Sequence, residues 1–189
     1  MKKLFLALPA LLILVSFSAC TQAKKWTDKE RTELREIVRA HKEKTMLKHM
    51  EKNDFANLEN CVVTTIEGTY PDYNKYDQLT GKTDTLVAVM VDCTADMLGS
   101  SYENLPLIFP YPQLQSVGIL PADLTADQLT AFYSNLTAKI KASYPQPADF
   151  AEALCVDPTM PNVLIGMMQQ CASDLQNASA PATTPAKNR

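Results

Sequence analysis

From residue 27 onward, apolar side chains return every three or four positions, and the stretches between them hold most of the prolines and glycines. That period is helical, because 3.6 residues per turn bring such positions onto one face. Thr27-Asp28-Lys29-Glu30 fits a capping box, with Leu34, Ile37, Val38, His41, Leu47 and Met50 behind it on a stripe weakest around residues 42–46. Asn53 or Asp54 is placed to cap a second helix, with Phe55, Leu58, Cys61, Val62, Ile66 and Tyr70 on one face and Pro71 at its end. The β-branched residues 62–66 alone would suit a strand; the longer period decides for helix.

Residues 72–83 read as a polar loop. Asp84 can cap a helix over residues 85–98, with Gly99 placed to end it. Residues 105–112, Leu-Pro-Leu-Ile-Phe-Pro-Tyr-Pro, carry three prolines and read as an extended, partly buried connector. A short helix over 112–117 and a second capping box, Thr125-Ala126-Asp127-Gln128, follow. Leu129, Phe132, Tyr133, Leu136, Ile140 and Tyr144 mark the clearest helix, stopped before Pro145, and residues 147–156 and 161–175 each open a further helix with proline near the first turn. Residues 177–189, rich in Ala, Pro and Thr, carry too little apolar surface to fold. The expected class is mainly α: one compact multi-helix domain with long irregular connectors.

The first nineteen residues follow a different pattern. Lys2 and Lys3 precede an apolar run over residues 4–17, which as a helix reaches about 21 Å, short of a hydrocarbon core of about 30 Å. A basic start, an apolar middle and small residues at a cut site mark a secretion signal. Phe17-Ser18-Ala19-Cys20 resembles the lipobox of bacterial lipoproteins, with Phe17 where that pattern usually has Leu. The resemblance implies cleavage before Cys20, a diacylglyceryl thioether on its thiol and acylation of the freed amine. Several acyl chains meet the requirement that stable anchoring needs more than one. An ordinary signal peptide with an incidental cysteine is the alternative.

Thr21 lacks the Asp that holds such lipoproteins in the inner membrane, so the resemblance implies the outer membrane, on either face. Residues 1–19 are then a leader, 20–26 the lipidated cysteine and a polar tether, 27–176 the helical domain and 177–189 a tail. The stretches WTDKERTELREIVRAHKEKTML and GILPADLTADQLTAFY are similar to those of small Bacteroidetes-type lipoproteins, a likeness that bears on location and carries no activity. In that setting Asp84-Thr85-Leu86 resembles the Asp-Ser/Thr-apolar motif for O-glycosylation, which makes Thr85 a candidate site.

Loss of Lys2 and Lys3 with the leader leaves 16 basic against 21 acidic residues, a net charge of −5. Nucleic acid is therefore an unsuitable partner, since phosphate neutralisation needs a basic face. Only five glycines argue against a barrel or a turn-rich sandwich. Cys61, Cys93, Cys155 and Cys171 are an even number in an oxidising compartment and allow three pairings. Packing of consecutive helices favours Cys61–Cys93 and Cys155–Cys171; four buried free thiols are the alternative.

Chemistry is sparse. His41 and His49 stand about 12 Å apart along one helix, too far to share a metal. Gly81-Lys82-Thr83 has Tyr76 where a phosphate loop needs glycine, and Asp72, Asn74, Asp77 and Asp84 miss the calcium-loop spacing. No cofactor, metal site or catalytic arrangement is visible. Met90, Met97, Met160, Met167 and Met168 suit core filling. Tyr70, Tyr73, Tyr76, Phe109 and Tyr111 flank the irregular segments, where aromatic rings either pack loops down or bind a protein, peptide or glycan ligand. The expectation is a membrane-anchored helical interaction module of the envelope. A hydrolase or glycan-processing enzyme built on carboxylates such as Glu59, Asp92 and Asp96, and a structural envelope protein, are the competing readings.

Mature protein is expected to begin at Cys20, partition into detergent and incorporate labelled fatty acid, with Cys20→Ala abolishing the label. Recovery of unmodified protein starting elsewhere removes the anchor.

Overall fold

The computed structural model describes residues 23–179; the leader and Cys20 lie outside them. The described chain is helical throughout, with no strand among the described residues. Its helices are α1 (Asp28–Lys42), α2 (Lys52–Thr69), α3 (Tyr73–Asp77), α4 (Lys82–Leu98), α5 (Leu105–Ile108), α6 (Tyr111–Ser116), α7 (Ala126–Ser143), α8 (Pro147–Val156) and α9 (Met160–Ser179), with a 3₁₀ turn at Met46–His49. None of them is long and apolar enough to cross a membrane.

Helix α4 is the hub. It packs most extensively on α8 and next on α2, while α1 lies on α2, and α7 pairs with α9. Leu86, Met90, Cys93 and Leu98 are buried along α4, and Phe55, Leu58, Val62 and Ile66 along α2. These positions follow the helical period, so each helix buries one stripe against its neighbours. One core cluster joins them to Phe132, Leu136 and Ile140 of α7 and to Leu164 and Met168 of α9.

Both expected capping boxes form. Thr125 Oγ1 accepts from the Gln128 amide at 3.2 Å, and Gln128 Oε1 accepts from the Thr125 amide at 2.9 Å. Glu30 accepts from both the Thr27 amide and its hydroxyl, at 2.6 and 2.7 Å.

Several boundaries move. Glu51 caps α2 in place of Asn53 or Asp54, accepting from the Asn53 amide at 2.6 Å. Helix α4 begins two residues before Asp84, because Gly81 takes φ +84°, a left-handed turn that other residues rarely adopt. Asp84 then lies in the first turn, where a carboxylate complements the helix dipole. The loop expected over residues 72–83 contains α3, capped by Asp72.

The proline-rich connector, expected to be extended, forms α5 and the first two residues of α6, and the rest of α6 is the short helix expected over residues 112–117. Pro106 and Pro112 fall in the first turn of each, where the missing N–H has no intrahelical acceptor to lose. The stripe of the first helix weakens at residues 42–46 because α1 stops at Lys42 and the chain turns into the 3₁₀ segment. Helix α9 runs past residue 176, so the expected tail is helical as far as Ser179, and the rest of it lies outside the described residues.

Cys61 and Cys93 are disulfide-bonded, joining α2 to α4 with 6.1 Å between Cα atoms. Cys155 and Cys171, expected as the second bridge, are instead free and buried. Cys155 ends α8 and lies beside Thr94 of α4, with Sγ and Oγ1 3.7 Å apart. Cys171 is eleven residues into α9, about 16 Å from the start of that helix, and no fold-back brings it to the end of α8. Burial pushes the Cys155 thiol up to about 11 and the Cys171 thiol upward as well. Since the thiolate is the reactive form, both are inert in the folded chain.

In the Cys20→Ala chain, a thiol reagent is expected to find no reactive thiol in the native protein and two after unfolding. Cys61→Ser with Cys93→Ser is expected to lower unfolding stability by about 2–4 kcal/mol, read from denaturant midpoints. Titration of all four thiols in unfolded, unreduced protein overturns the pairing.

Candidate functional site

The first described residues build one wall of a cleft. The Lys24 amide donates to Asp72 Oδ1 at 2.9 Å, the Tyr73 amide donates to the Lys24 carbonyl at 2.8 Å, and Trp26 Nε1–H donates to the Tyr70 carbonyl at 2.7 Å. Residues 24–26, expected as tether and threshold, are therefore docked on the turn between α2 and α3. Trp26 meets Tyr73 edge-on with ring centroids 5.0 Å apart and Tyr76 at 5.1 Å; Tyr70 backs Tyr76 at 5.9 Å. These separations lie in the favourable range for aromatic pairs.

Between this cluster and helices α1 and α4 opens a cleft of about 250 Å³. Trp26, Tyr73 and Tyr76 form one side, Leu34 and Ile37 of α1 and Leu86 of α4 the apolar remainder. Ile37 is 51% exposed although it belongs to the apolar stripe of α1. Glu30 and Glu33 lie on the α1 side, and Asp77 and Lys82, paired with each other, on the opposite one.

Glu30 is the charged anchor of the cluster. Its carboxylate pairs with Lys24, whose ammonium also stands 4.5 Å from the centre of the Tyr73 ring. The Lys24 hydrogen bond first, then those from Thr27, hold the Glu30 carboxyl down from the ordinary 4.5 to about 2. Burial raises the phenol of Tyr76 above its usual range, and burial together with Asp77 does the same for Tyr73.

A second, more open cleft of about 480 Å³ continues along the same helices. His41 follows Ile37 by one turn of α1, and Val87 follows Thr83 of the first cleft by one turn of α4, so the two clefts are successive parts of one groove. Val87, Ala88, Val91 and Val156 line its apolar surface, and Asp84, Asp92 and Glu152 its polar one. His41 Nε2 lies 2.7 Å from the Cys155 carbonyl, which only accepts, so that nitrogen carries the proton.

Tyr73 and Tyr76 thus line the groove and Tyr70 supports them. Phe109 and Tyr111 are elsewhere. Phe109 is fully buried, its carbonyl accepting from the Tyr133 hydroxyl at 2.7 Å, and the Tyr111 hydroxyl bonds the carbonyls of Pro121 and Ala122. Both rings pack irregular chain onto the domain. Thr85 is part-exposed, one turn inside α4, between Asp84 of the second cleft and buried Leu86.

The three carboxylates considered for catalysis do not converge. Glu59 is buried and held by Arg39 of α1, Asp92 lines the second cleft, and Asp96 lines a separate shallow depression with Gly99 and Pro147. Among the described residues, no three His, Cys, Asp or Glu side chains gather closely enough to hold a metal ion.

Sequence reasoning missed Trp26, Ile37, Val87, Val91 and Val156 as groove residues. One signal was available: residues 86–91 of α4 are apolar all round, more than one neighbouring helix covers. No family model matches the chain, and neither the curated proteins nor the solved structures contain a match to it.

A carboxyl whose folded pKa is depressed stabilises its contacts above its unfolded value and loses that contribution as pH falls through the folded one. The Glu30 contacts are therefore complete above about pH 4.5 and lost toward pH 2. Trp26 emission is expected to shift to the red across that interval in the native chain, and Glu30→Gln to remove the step. A step that persists in Glu30→Gln assigns it to another group.

Proposed function

We propose that the chain is a lipid-tethered, non-catalytic binding module of the cell envelope, held in the outer membrane through Cys20, with the α1/α4 groove as its binding surface. The observation that carries this reading is the docking of Lys24–Trp26. The wall of an aromatic-sided cleft is built by the residues four to six positions after the cysteine that resembles a lipobox cysteine. An exposed Ile37 beside rigid aromatic rings is the arrangement that recognition uses, apolar area with polar groups at the edge.

The carboxylate-enzyme reading finds less support. Glu59 is committed to Arg39, which holds two of its donors on the carboxylate, and Asp92 and Asp96 stand in separate depressions. An acid and a base acting on one bond need to share a site.

Trp26 is the single tryptophan of the chain and lies in the cleft, so its emission reports occupancy. Titration with synthetic peptides and with soluble envelope oligosaccharides is expected to give a saturable emission change with at least one class. Tyr73→Ala is expected to weaken that binding about tenfold, the loss of one aromatic contact of about 1.4 kcal/mol. No change with either class removes the binding reading.

A further inference from the structure

We propose that the α1/α4 groove receives a cationic, amphipathic helix from a partner protein, an inference that rests on the binding reading and names its partner class.

The walls decide the form of the occupant. Both α1 and α4 rest on α2 and make at most marginal contact with each other, which leaves a trough between two roughly neighbouring helices. Each wall is a helix whose backbone N–H and C=O groups are bonded within itself. An extended peptide laid there would find no backbone partner and would leave its own amides unpaired against apolar side chains, at a cost for each buried group. A helix brings its own hydrogen bonds and needs only an apolar stripe, which is the helix-in-groove mode of recognition. Ile37, 51% exposed, lines the first cleft, and Val87, Val91 and, at the end of α8, the 55% exposed Val156 line the second. From Glu30 to His41 the groove runs about 16 Å, room for three turns of helix.

The rim decides its charge. Glu33 makes only a loose pair with Lys29 at 3.7 Å. Asp84, Asp92 and Glu152 have no ion-pair partner among the described residues. Lys82 in the groove lining is already bonded to Asp77, and Lys24 at its end to Glu30. Carboxylates left unpaired around an apolar floor suit an apolar stripe flanked by Lys or Arg.

The chain itself shows how such a cation is held. Lys24 lies on the Tyr73 ring and bonds Glu30 at one end of the trough, an ammonium seated between an aromatic face and a carboxylate. Further along, Asp84 and Asp92 offer the carboxylate half of that seat, with the aliphatic Val87 and Val91 in place of the ring.

The test uses the full chain in dilute neutral detergent, with Trp26 emission as the readout. The probes are two synthetic helices of about fourteen residues with the same leucine stripe, one flanked by lysine and the other by glutamate. The lysine peptide is expected to bind saturably and the glutamate peptide to bind at least about tenfold more weakly. The triple variant Asp84→Asn, Asp92→Asn, Glu152→Gln is expected to weaken the lysine peptide about tenfold or more, and raised salt to do the same in the native chain. Ile37→Lys, at an exposed position that leaves the core intact, is expected to abolish binding of the lysine peptide while circular dichroism is unchanged.

Equal binding of the two peptides, or insensitivity to the triple variant, overturns the cationic partner and leaves the binding module standing. An emission change with oligosaccharide and none with either peptide overturns the helical partner alone. An emission change on Lys187→Ala with Arg189→Ala, before any peptide is added, gives the groove to the chain's own C-terminal residues and overturns the proposal. Silence toward every probe overturns this inference and the binding reading together.

Discussion

Helix α4 carries six consecutive apolar residues from Leu86 to Val91, and such a run needs cover on more than one side. Helix α2 supplies one cover, tied to it through Cys61–Cys93, and α8 supplies the other, with Thr94 and Cys155 meeting across the contact. The rest of the arrangement follows from this stack. Helix α1 lies on α2 and on the 3₁₀ segment, the α7/α9 pair closes over the common cluster, and Val87 and Val91 of α4 stay only partly buried along the second cleft. The groove is what remains when a helix with more apolar surface than neighbours is packed as fully as its neighbours allow.

The polar groups near the stack are used economically. Glu59, buried on α2, is neutralised by Arg39 and so fixes the approach of α1. Glu67 does the same through Arg31, whose Nε and Nη2 hold its two oxygens at 2.9 and 2.6 Å. Two-donor arginine pairs of this kind fix direction as well as distance. Helix α1 is thus held to α2 at both Arg31 and Arg39, and His41 on the Cys155 carbonyl ties its end to α8.

The helical class and the long elements were legible because their period is long and their ends are marked. The capping boxes at Thr27 and Thr125, the prolines after α2 and α7, and Gly99 all do locally what the tertiary structure requires. Of the short elements, α6 was legible over residues 112–117, where Pro112 opens it and Gly118 follows its end, but α3 and α5 were not. Four or five residues, as in α3 and α5, are too few for a period, and Pro106 reads as a breaker unless its place in the first turn is known. The disulfide pairing could be read for Cys61 and Cys93 because two long neighbouring helices carry them on facing stripes. It failed for Cys171 because that residue lies eleven positions into α9, and a bridge needed the link between α8 and α9 to fold back beside it, which it does not do. For the groove, Tyr73 and Tyr76 stood out by type and position, whereas Trp26, Ile37 and Val156 became groove residues only through the spacing of α1 and α4, a tertiary fact.

The docking of residues 24–26 also makes a mechanical linkage. A pull applied on the N-terminal side of Lys24 is borne first by its amide on Asp72, its carbonyl under the Tyr73 amide and the Trp26 indole on the Tyr70 carbonyl. Those bonds peel in turn, and the core helices are not loaded until the last has gone. Because Trp26 is at once the final latch and a wall of the cleft, tension opens the site before it strains the fold. The relation runs both ways: whatever fills the cleft and packs on Trp26 stiffens the latch by the free energy that tension would spend to empty it. The N-terminal end of the described chain is thereby a gauge of whether the groove is occupied.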